Sequence, residues 1–459
     1  GRWGRSASFP RRKAMRSAHV LACTWVSLAC ASAFLACAAS GDETNPVREP
    51  ESDGGQTAVP DGGAPERDAE TEGAAPESTC SNAGWCVTAL PDPDLVMRDI
   101  WPVGERAFAI AESSTLGVKV LEWNESEQTW AYIDDGSQHE FTSVSYVGKV
   151  WAPNEDEVYY GGAPGYIFHG SRPIAPATTW SWTRHELEDR SHPDRGVNLE
   201  DGYPYDRSPY DRSPFRAPAL GVWGTSANDV YAWFTNSIYH WKSVDGGAPG
   251  WVLEYVANDP AAPDGRHDFD EHLYFTGAAG TNPDDVWFTG ARARSSYGCA
   301  LVVRKTGGEY RRIADGVLSK DTLSCAERAG AIFLGERGWL ADIQAVAPGQ
   351  FIGLKGGIDA LRISVDGDGY SVDISNLDSS LTFLGPVTSL WATGRDAWLS
   401  GRGGFVLRGN DVWDGGSYSL SRVSQPSGPL DRRLYKIRGT SNSNIWAIGE
   451  GYALHKTTP

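Results

Sequence analysis

The chain has 459 residues, a formal net charge of −18 and 40% hydrophobic residues. That length exceeds an ordinary small domain and suits one large repeat domain with flanking segments. The first 36 residues carry six basic groups and no acids, so the remainder stands at −24, a surface that repels nucleic acid and argues against it as a partner.

The first methionine is Met15, and residues 1–14 read either as text upstream of the start or as a basic leader. From Met15 a short basic stretch precedes an apolar run from about Val20 to Ala36, which is a secretory signal pattern. The run ends "FLAC", Phe34 to Cys37. Next comes "GDETNPVREPESDGGQTAVPDGGAPERDAETEGAAPEST", Gly41 to Thr79, with eleven acids, two arginines and almost no large apolar side chain. Such a segment buries too little surface to offset its ordering entropy and is expected to be a disordered tether. "FLAC" resembles the lipobox of bacterial lipoproteins, with Phe34 where Leu is usual. The resemblance implies that Cys37 is acylated and becomes the mature N-terminus, and "SLAC" at Cys30 is a weaker rival. Ala38, where an inner-membrane retention signal would have Asp, favours the outer membrane. The expected division is therefore a signal at 1–36, a lipidated and tethering segment at 37–79, and a folded domain at 80–459.

Of seven cysteines, Cys23 and Cys30 leave with the signal and Cys37 takes the lipid. Cys80, Cys86, Cys299 and Cys325 remain, an even set in an oxidising compartment, which points to two disulfides. Four cysteines allow three pairings, and the local one, Cys80–Cys86 with Cys299–Cys325, is favoured. No CxxC or His–Cys spacing points to a metal.

From Cys80 onward the chain is written in short runs of Val, Ile, Tyr and Trp broken by Gly, Asn, Asp and Pro, the language of strands and turns. "GVWGTSANDVYAWFTNSIYHW", Gly221 to Trp241, is echoed by "KIRGTSNSNIWAIGEGYALHK", Lys436 to Lys456. Alignment on these gives a four-part unit. First strands end near Trp101, Trp151, Trp223, Ala278, Val346, Trp391 and Gly439. After a polar bend, second strands start near 107, 158, 230, 286, 351, 397 and 445. Third strands end at Trp123, Gly170, Trp241, Lys305, Ser364, Gly409 and Lys456. Only six fourth strands follow, opening near 129, 180, 251, 309, 370 and 418. The missing member lies at the other end, in "GWCVTAL", Gly84 to Leu90. A period of about 50 residues and a strand borrowed from the N-terminus predict an all-β, seven-bladed β-propeller closed by that N-terminal strand. The fifth unit is the weakest, and counts of six or eight stay open. Glu188 to Pro218, with its tandem "YDRSP", is an insertion between units, read as an exposed loop that is either a binding arm or a tolerated expansion.

Two turns between third and fourth strands carry a second signal: "SVDGGAPGW" with Ser243, Asp245, Gly247 and Trp251, and "SVDGDGY" with Ser364 and Asp366. They resemble the Asp-boxes of sialidase-like (BNR) propellers, Ser-x-Asp-x-Gly-x-Thr-Trp, without the Thr. The "VWGTSANDVYA" unit also resembles repeats in lipoproteins of myxobacteria and related deltaproteobacteria. Sialidases of this fold use an arginine triad, a Tyr–Glu pair and an Asp, and "FRAP" at Phe215 resembles their arginine motif. It falls in the insertion, ahead of the third unit. Three histidines, His169, His240 and His455, occupy one place in the repeat, which fits architecture better than ligation. No phosphate loop, EF-hand or cofactor fingerprint is present, so no catalytic residue, cofactor or metal is assigned.

These observations predict a monomeric, non-catalytic outer-membrane lipoprotein, periplasm-facing or at the cell surface. It would be a binding or envelope-assembly scaffold for a protein, peptide or glycan, as the BNR-type assembly propellers are. The alternative is a glycan-active enzyme of sialidase-like type.

Overall fold

In the computed structural model, the described residues are 80–458 except 140–146, 163–164, 189, 191–218, 259–271, 295–296, 320–321, 323, 378–384, 423 and 426–427. The expectations for the signal, Cys37 and the tether lie outside them. The chain divides by its internal contacts into 1–72 and 73–459, and only the second unit is described below.

Strand β1 is Trp85–Thr88. Six four-stranded blades follow in order. The first has β2 (Val96–Val103), β3 (Arg106–Ser113), β4 (Gly117–Asn124) and β5 (Thr129–Tyr132). The second has β6 (Val147–Asn154), β7 (Glu157–Gly162), β8 (Tyr166–Ser171) and β9 (Ser181–Glu186). The third has β10 (Leu220–Ser226), β11 (Asp229–Phe234), β12 (Ser237–Lys242) and β13 (Gly250–Val256). The fourth has β14 (His272–Asn282), β15 (Asp285–Arg294), β16 (Tyr297–Thr306) and β17 (Glu309–Ala314). A small hairpin, β18 (Gly316–Leu318) with β19 (Cys325–Glu327), precedes the fifth blade. That blade has β20 (Leu340–Ala347), β21 (Gln350–Lys355), β22 (Asp359–Asp366) and β23 (Gly369–Asn376). The sixth has β24 (Val387–Thr393), β25 (Asp396–Gly401), β26 (Phe405–Asn410) and β27 (Tyr418–Arg422). After a short pair, β28 (Ser424–Gln425) and β29 (Gly428–Pro429), come β30 (Leu434–Ser441), β31 (Asn444–Gly449) and β32 (Ala453–Lys456).

The seventh sheet has the order β1-β32-β31-β30, with Trp85 opposite Lys456 and Thr88 opposite Ala453. The N-terminal strand therefore supplies the fourth strand of the last blade, and seven antiparallel sheets form a propeller. Neighbouring first strands touch all the way round, β2 to β6, β10, β14, β20, β24, β30 and back to β2. Both local disulfides are present. Cys80–Cys86 ties the start of β1, and Cys299–Cys325 ties the β18–β19 hairpin to the third strand of the fourth blade.

Apolar side chains fill the wedges between blades. Phe108, Ile110, Val150 and Tyr160 pack between the first two blades; Trp123, Trp130 and Trp446 pack between the first and seventh. Such residues alternate along central strands because both sheet faces meet another blade. Each fully buried side chain of this size contributes about 1.5–3 kcal/mol.

Pairing register refines the alignment of the first strands. Trp101, Trp151, Trp223 and Trp391 stand opposite Phe108, Tyr159, Tyr231 and Trp398, each two residues after the start of its second strand. The same test places Ala279, Gln344 and Arg438 in the equivalent position of the other blades, rather than Ala278, Val346 and Gly439. The bend after this position is bulged in β6, β10, β14, β20 and β30 alike, so what conceals the match in the sequence is the missing indole at Ala279, Gln344 and Arg438.

This register explains the Gly-Thr-Ser echo. A Cβ on Gly224 would lie 2.8 Å from the Trp151 ring of the preceding blade and 2.5 Å from the Asp229 carbonyl oxygen. Gly439 stands the same way beneath Trp391, 3.0 Å, and against the Asn444 oxygen, 2.6 Å. Each tryptophan thus lies across the glycine of the next blade, and any side chain at that glycine would push the blades apart.

Trp85 is fully buried and meets Trp398 of the sixth blade edge-to-face at 6.0 Å. Trp85→Ala should cost about 3–5 kcal/mol, and deleting residues 84–90 should lower the melting temperature far more than deleting an equal length of exposed turn. An unchanged melting temperature in the deletion would refute closure by β1.

Candidate functional site

In an antiparallel blade the first-to-second and third-to-fourth turns share one face of the ring. The first strands end on that face, and between their ends lies an axial opening of about 210 Å³. Its wall includes Trp101, Trp223, Trp391, Gln344 and Arg438, with the backbone of Ala278, Ala279 and Gly280. It is therefore lined by the tryptophan position of the repeat and by the blades that depart from it. Ala279 makes room, Gln344 replaces an indole with an amide, and Arg438 replaces one with a cation. The Gln344 amide is held by the sixth blade, with its Nε2 donating to the Ala392 oxygen and its Oε1 accepting from the Ala392 N–H, both at 2.8 Å. The Arg438 guanidinium lies 4.3 Å over the Trp101 ring, a cation–π contact that fixes both groups.

One step deeper the opening narrows to about 20 Å³ and becomes charged, with Asp99, Lys149, Asp342 and Lys436 along its wall. These stand two residues before the tryptophan position in their strands, or at its bulged equivalent. Lys436 Nζ donates to both carboxylate oxygens of Asp342 at 2.7 Å and lies 4.0 Å from Asp99. Asp342 also accepts from Ser389 Oγ at 2.6 Å and from the Leu390 N–H at 3.3 Å; Asp99 accepts from the Val150 N–H at 3.0 Å. Burial would raise the Asp342 carboxyl, but Lys436, Lys149 and Arg438 outweigh it and hold Asp342 below its ordinary value. Burial pulls Lys436 down to about 8, against the pull of Asp342 and Asp99. Single charged residues inside apolar strands were the signal for this belt. They became readable only once the seven registers were aligned.

The turns that resemble Asp-boxes lie elsewhere, at the outer part of the same face. Asp245 is exposed with a left-handed backbone (φ 52°), Ser243 is exposed beside it, and the Gly247 N–H donates to the Val244 oxygen. Trp251 opens β13 opposite Trp241, the two rings edge-to-face at 5.2 Å. Ser364 pairs with Ser371, and Asp366 closes β22 opposite Gly369. None of these residues lines the axial opening. Cys37 and Arg216 of "FRAP" lie outside the described residues, as does most of the 188–218 insertion. The strand ends that the insertion joins, Glu186 and Leu220, belong to the opposite face of the ring.

The three repeated histidines share one geometry. His169 stacks on Tyr159 at 4.1 Å, His240 on Tyr231 at 4.3 Å and His455 on Trp446 at 3.9 Å. Each ring reaches toward the first residue of the second strand: Glu157 at 3.9 Å, Asp229 at 3.0 Å and Asn444 at 3.0 Å. Arginine does the same in the fourth and sixth blades, where Arg304 covers Trp287 and bonds Asp285, and Arg408 covers Trp398 and bonds Asp396. These are clamps across a blade. Among the described residues no group of three or more His, Cys, Asp or Glu is arranged to hold a metal.

No protein-family model and no curated protein matches the sequence. Among solved structures, the chain is similar to YCF48 bound to D1 peptide, with 12% identity and a TM-score of 0.50 over 82% of this chain and 97% of that one. It is also similar to YCF48 from Cyanidioschyzon merolae, with 12% identity and a TM-score of 0.48 over 82% of this chain and 99% of that one. At this identity the likeness concerns the seven-bladed fold.

The clamps have a pH signature. Burial lowers His455 and His169 from 6.5 to about 4. The unfolded chain therefore binds more protons between those values, and stability is full above about pH 6.5 and falls as pH drops toward 4. His240 runs the other way: burial would lower it, but its bonds to Asp229 and Glu254 raise it. Urea midpoints measured from pH 7 to pH 4.5 should fall less steeply in His455→Phe and His169→Phe than in the parent. Equal slopes would contradict the assignment.

Proposed function

We propose that the propeller is a binding scaffold that docks a peptide or an exposed protein segment at the axial opening. The observation that carries this is the size and lining of that opening. At about 210 Å³ it is smaller than the roughly 300–1,000 Å³ that encloses a whole small ligand. It therefore suits one or two side chains of a larger partner. Its indole and guanidinium groups are the residue types that dominate binding energy where one protein anchors another. A structurally similar propeller, YCF48, has been solved bound to a peptide.

We further propose that the chain is exported and held at the outer membrane by an acylated Cys37, with 37–79 as a tether and 80–459 as the binding domain. The signal pattern, "FLAC" and the acidic segment support this, as do two disulfides, which belong to oxidising compartments. Several acyl chains, at about 0.8 kcal/mol per buried CH2, suffice for stable anchoring. The Asp-box likeness belongs with the same reading, as a likeness of turns.

Two measurements test these readings. Mass spectrometry of the membrane-extracted protein should find a mature N-terminus at Cys37 carrying acyl chains; an unmodified N-terminus elsewhere would sink the anchor. A photo-crosslinking amino acid at Gln344 should capture an envelope protein or peptide that the same probe at exposed Asp245 does not, and Trp223→Ala should reduce that capture several-fold. Equal capture at both positions would remove the axial opening as the docking point.

A further inference from the structure

We infer that the group the axial opening receives is a side-chain carboxylate, so that the docked segment presents a Glu or Asp to the ring. This rests on the axial reading above and names its ligand chemistry.

The belt holds two carboxylates, Asp99 and Asp342, and three cations, Lys149, Lys436 and Arg438. Internal pairing is uneven. Lys436 sits between the two acids and satisfies both oxygens of Asp342. The second oxygen of Asp342 is further occupied by Ser389 and the Leu390 N–H, and one oxygen of Asp99 by the Val150 N–H. That arrangement pairs Lys436 directly and leaves Asp99 Oδ1 without a hydrogen bond, while Lys149 and Arg438 act on Asp342 only through space. Among the described residues, neither Lys149 nor Arg438 has a carboxylate in hydrogen-bond or ion-pair contact. Arg438 is held only by the face of Trp101, and its Nε is buried without a hydrogen-bond partner. A buried guanidinium donor left open is costly, and an arriving carboxylate can accept from it. Lys149 is half-buried beside it, at the level where the opening narrows.

Shape limits what can reach these two groups. The wide part is walled by Trp101, Trp223 and Trp391, and the narrow part below is about 20 Å³. A slender side chain ending in a carboxylate fits that profile: its methylenes lie against indole and its oxygens reach Arg438 and Lys149. A chain end brings its own backbone and last side chain and is broader. A lysine or arginine anchor would add a fourth cation to a belt that already holds three against two carboxylates.

The test titrates the full chain in detergent with short peptides free of tryptophan and follows its indole fluorescence. The probes are acetyl-Gly-Phe-Glu-Phe-Gly-amide, the same peptide with Gln or Lys in place of Glu, and the Gln peptide with a free carboxyl end. The Glu peptide should bind about tenfold or more tighter than the Gln and Lys peptides, with the gap narrowing as salt is raised. Arg438→Gln and Lys149→Gln should each remove most of that preference, bringing the Glu-peptide affinity down toward that of the Gln peptide. Among the described residues Lys149 makes no cation–π contact with the indole wall, so K149Q carries the test if R438Q alters the melting temperature. Equal binding of Glu and Gln peptides, both lost in Trp223→Ala, would overturn the carboxylate while keeping the axial site. Tighter binding of the free-end Gln peptide than of the Glu peptide would overturn the side chain as the source. Failure of every peptide to bind would overturn both readings.

Discussion

A ring of sheets depends on its last seam. Six blades here are built from consecutive hairpins and need only local pairing, but the seventh is assembled from the two ends of the domain. The antiparallel pairing of β1 with β32, some 365 residues apart, covers the edge of β32 that a three-stranded last blade would expose. It carries a tryptophan into the core between blades and is braced at its start by a disulfide. Every axial distance follows from that closure, because the first strands are held in mutual contact only if the circuit is complete. Pairing across such a separation has a large loop-closure cost. Cys80–Cys86 closes a short loop at the entry to that strand.

Within the closed ring, the step of tryptophan over glycine sets the spacing from blade to blade. It uses an indole as a flat spacer and a glycine as its seat, and it recurs where the repeat is strongest. Chemistry enters where the step fails. Blades four, five and seven place Ala279, Gln344 and Arg438 in the tryptophan position, and all three border the axial opening. A ring of seven identical blades would be lined by seven equivalent indoles. This one has three indoles on the opening, an amide, a cation and a gap, which makes the axis asymmetric and able to orient a ligand. The charged belt beneath is asymmetric in the same way, with Asp99, Lys149, Asp342 and Lys436 supplied by different blades.

Much of the architecture was legible in the sequence because the repeat is written in period-two apolar runs separated by turn residues. All twenty-eight blade strands fall where those runs lie, including the displaced β1. The local disulfides were legible from parity and spacing. The axial site was not, for two physical reasons. Without an indole to mark the position in β14, β20 and β30, the ends of those strands read one or two residues out of register, at Ala278, Val346 and Gly439, so Gln344 and Arg438 are not matched to Trp223. A single lysine or aspartate inside a strand is also locally indistinguishable from an outward-facing one. Asp342 and Lys436 acquire meaning only through a contact spanning 94 residues of chain. The histidines show the converse. They were conspicuous in the sequence, and their shared position proved to be a clamp of ring on ring.

The charge distribution shapes how such a site can work. The chain as a whole is strongly acidic at −18, yet its axis carries more cations than anions. At physiological ionic strength charges are screened over about 8 Å, so an acidic partner approaching from solution feels the negative surface first and the axial cations only at contact. Long-range steering therefore does not favour an acidic ligand, and association belongs in the unsteered range of about 10⁵–10⁶ M⁻¹s⁻¹. What the buried belt supplies is discrimination after arrival. Arg438 and Lys149 sit half-buried in a recess where a carboxylate gains more than it would at the open surface, and where a neutral side chain leaves the Arg438 Nε without an acceptor. Repulsion outside and attraction within reject the loosely held anion. In the proposed docking they would favour a segment whose apolar stem also fills the space between the three indoles.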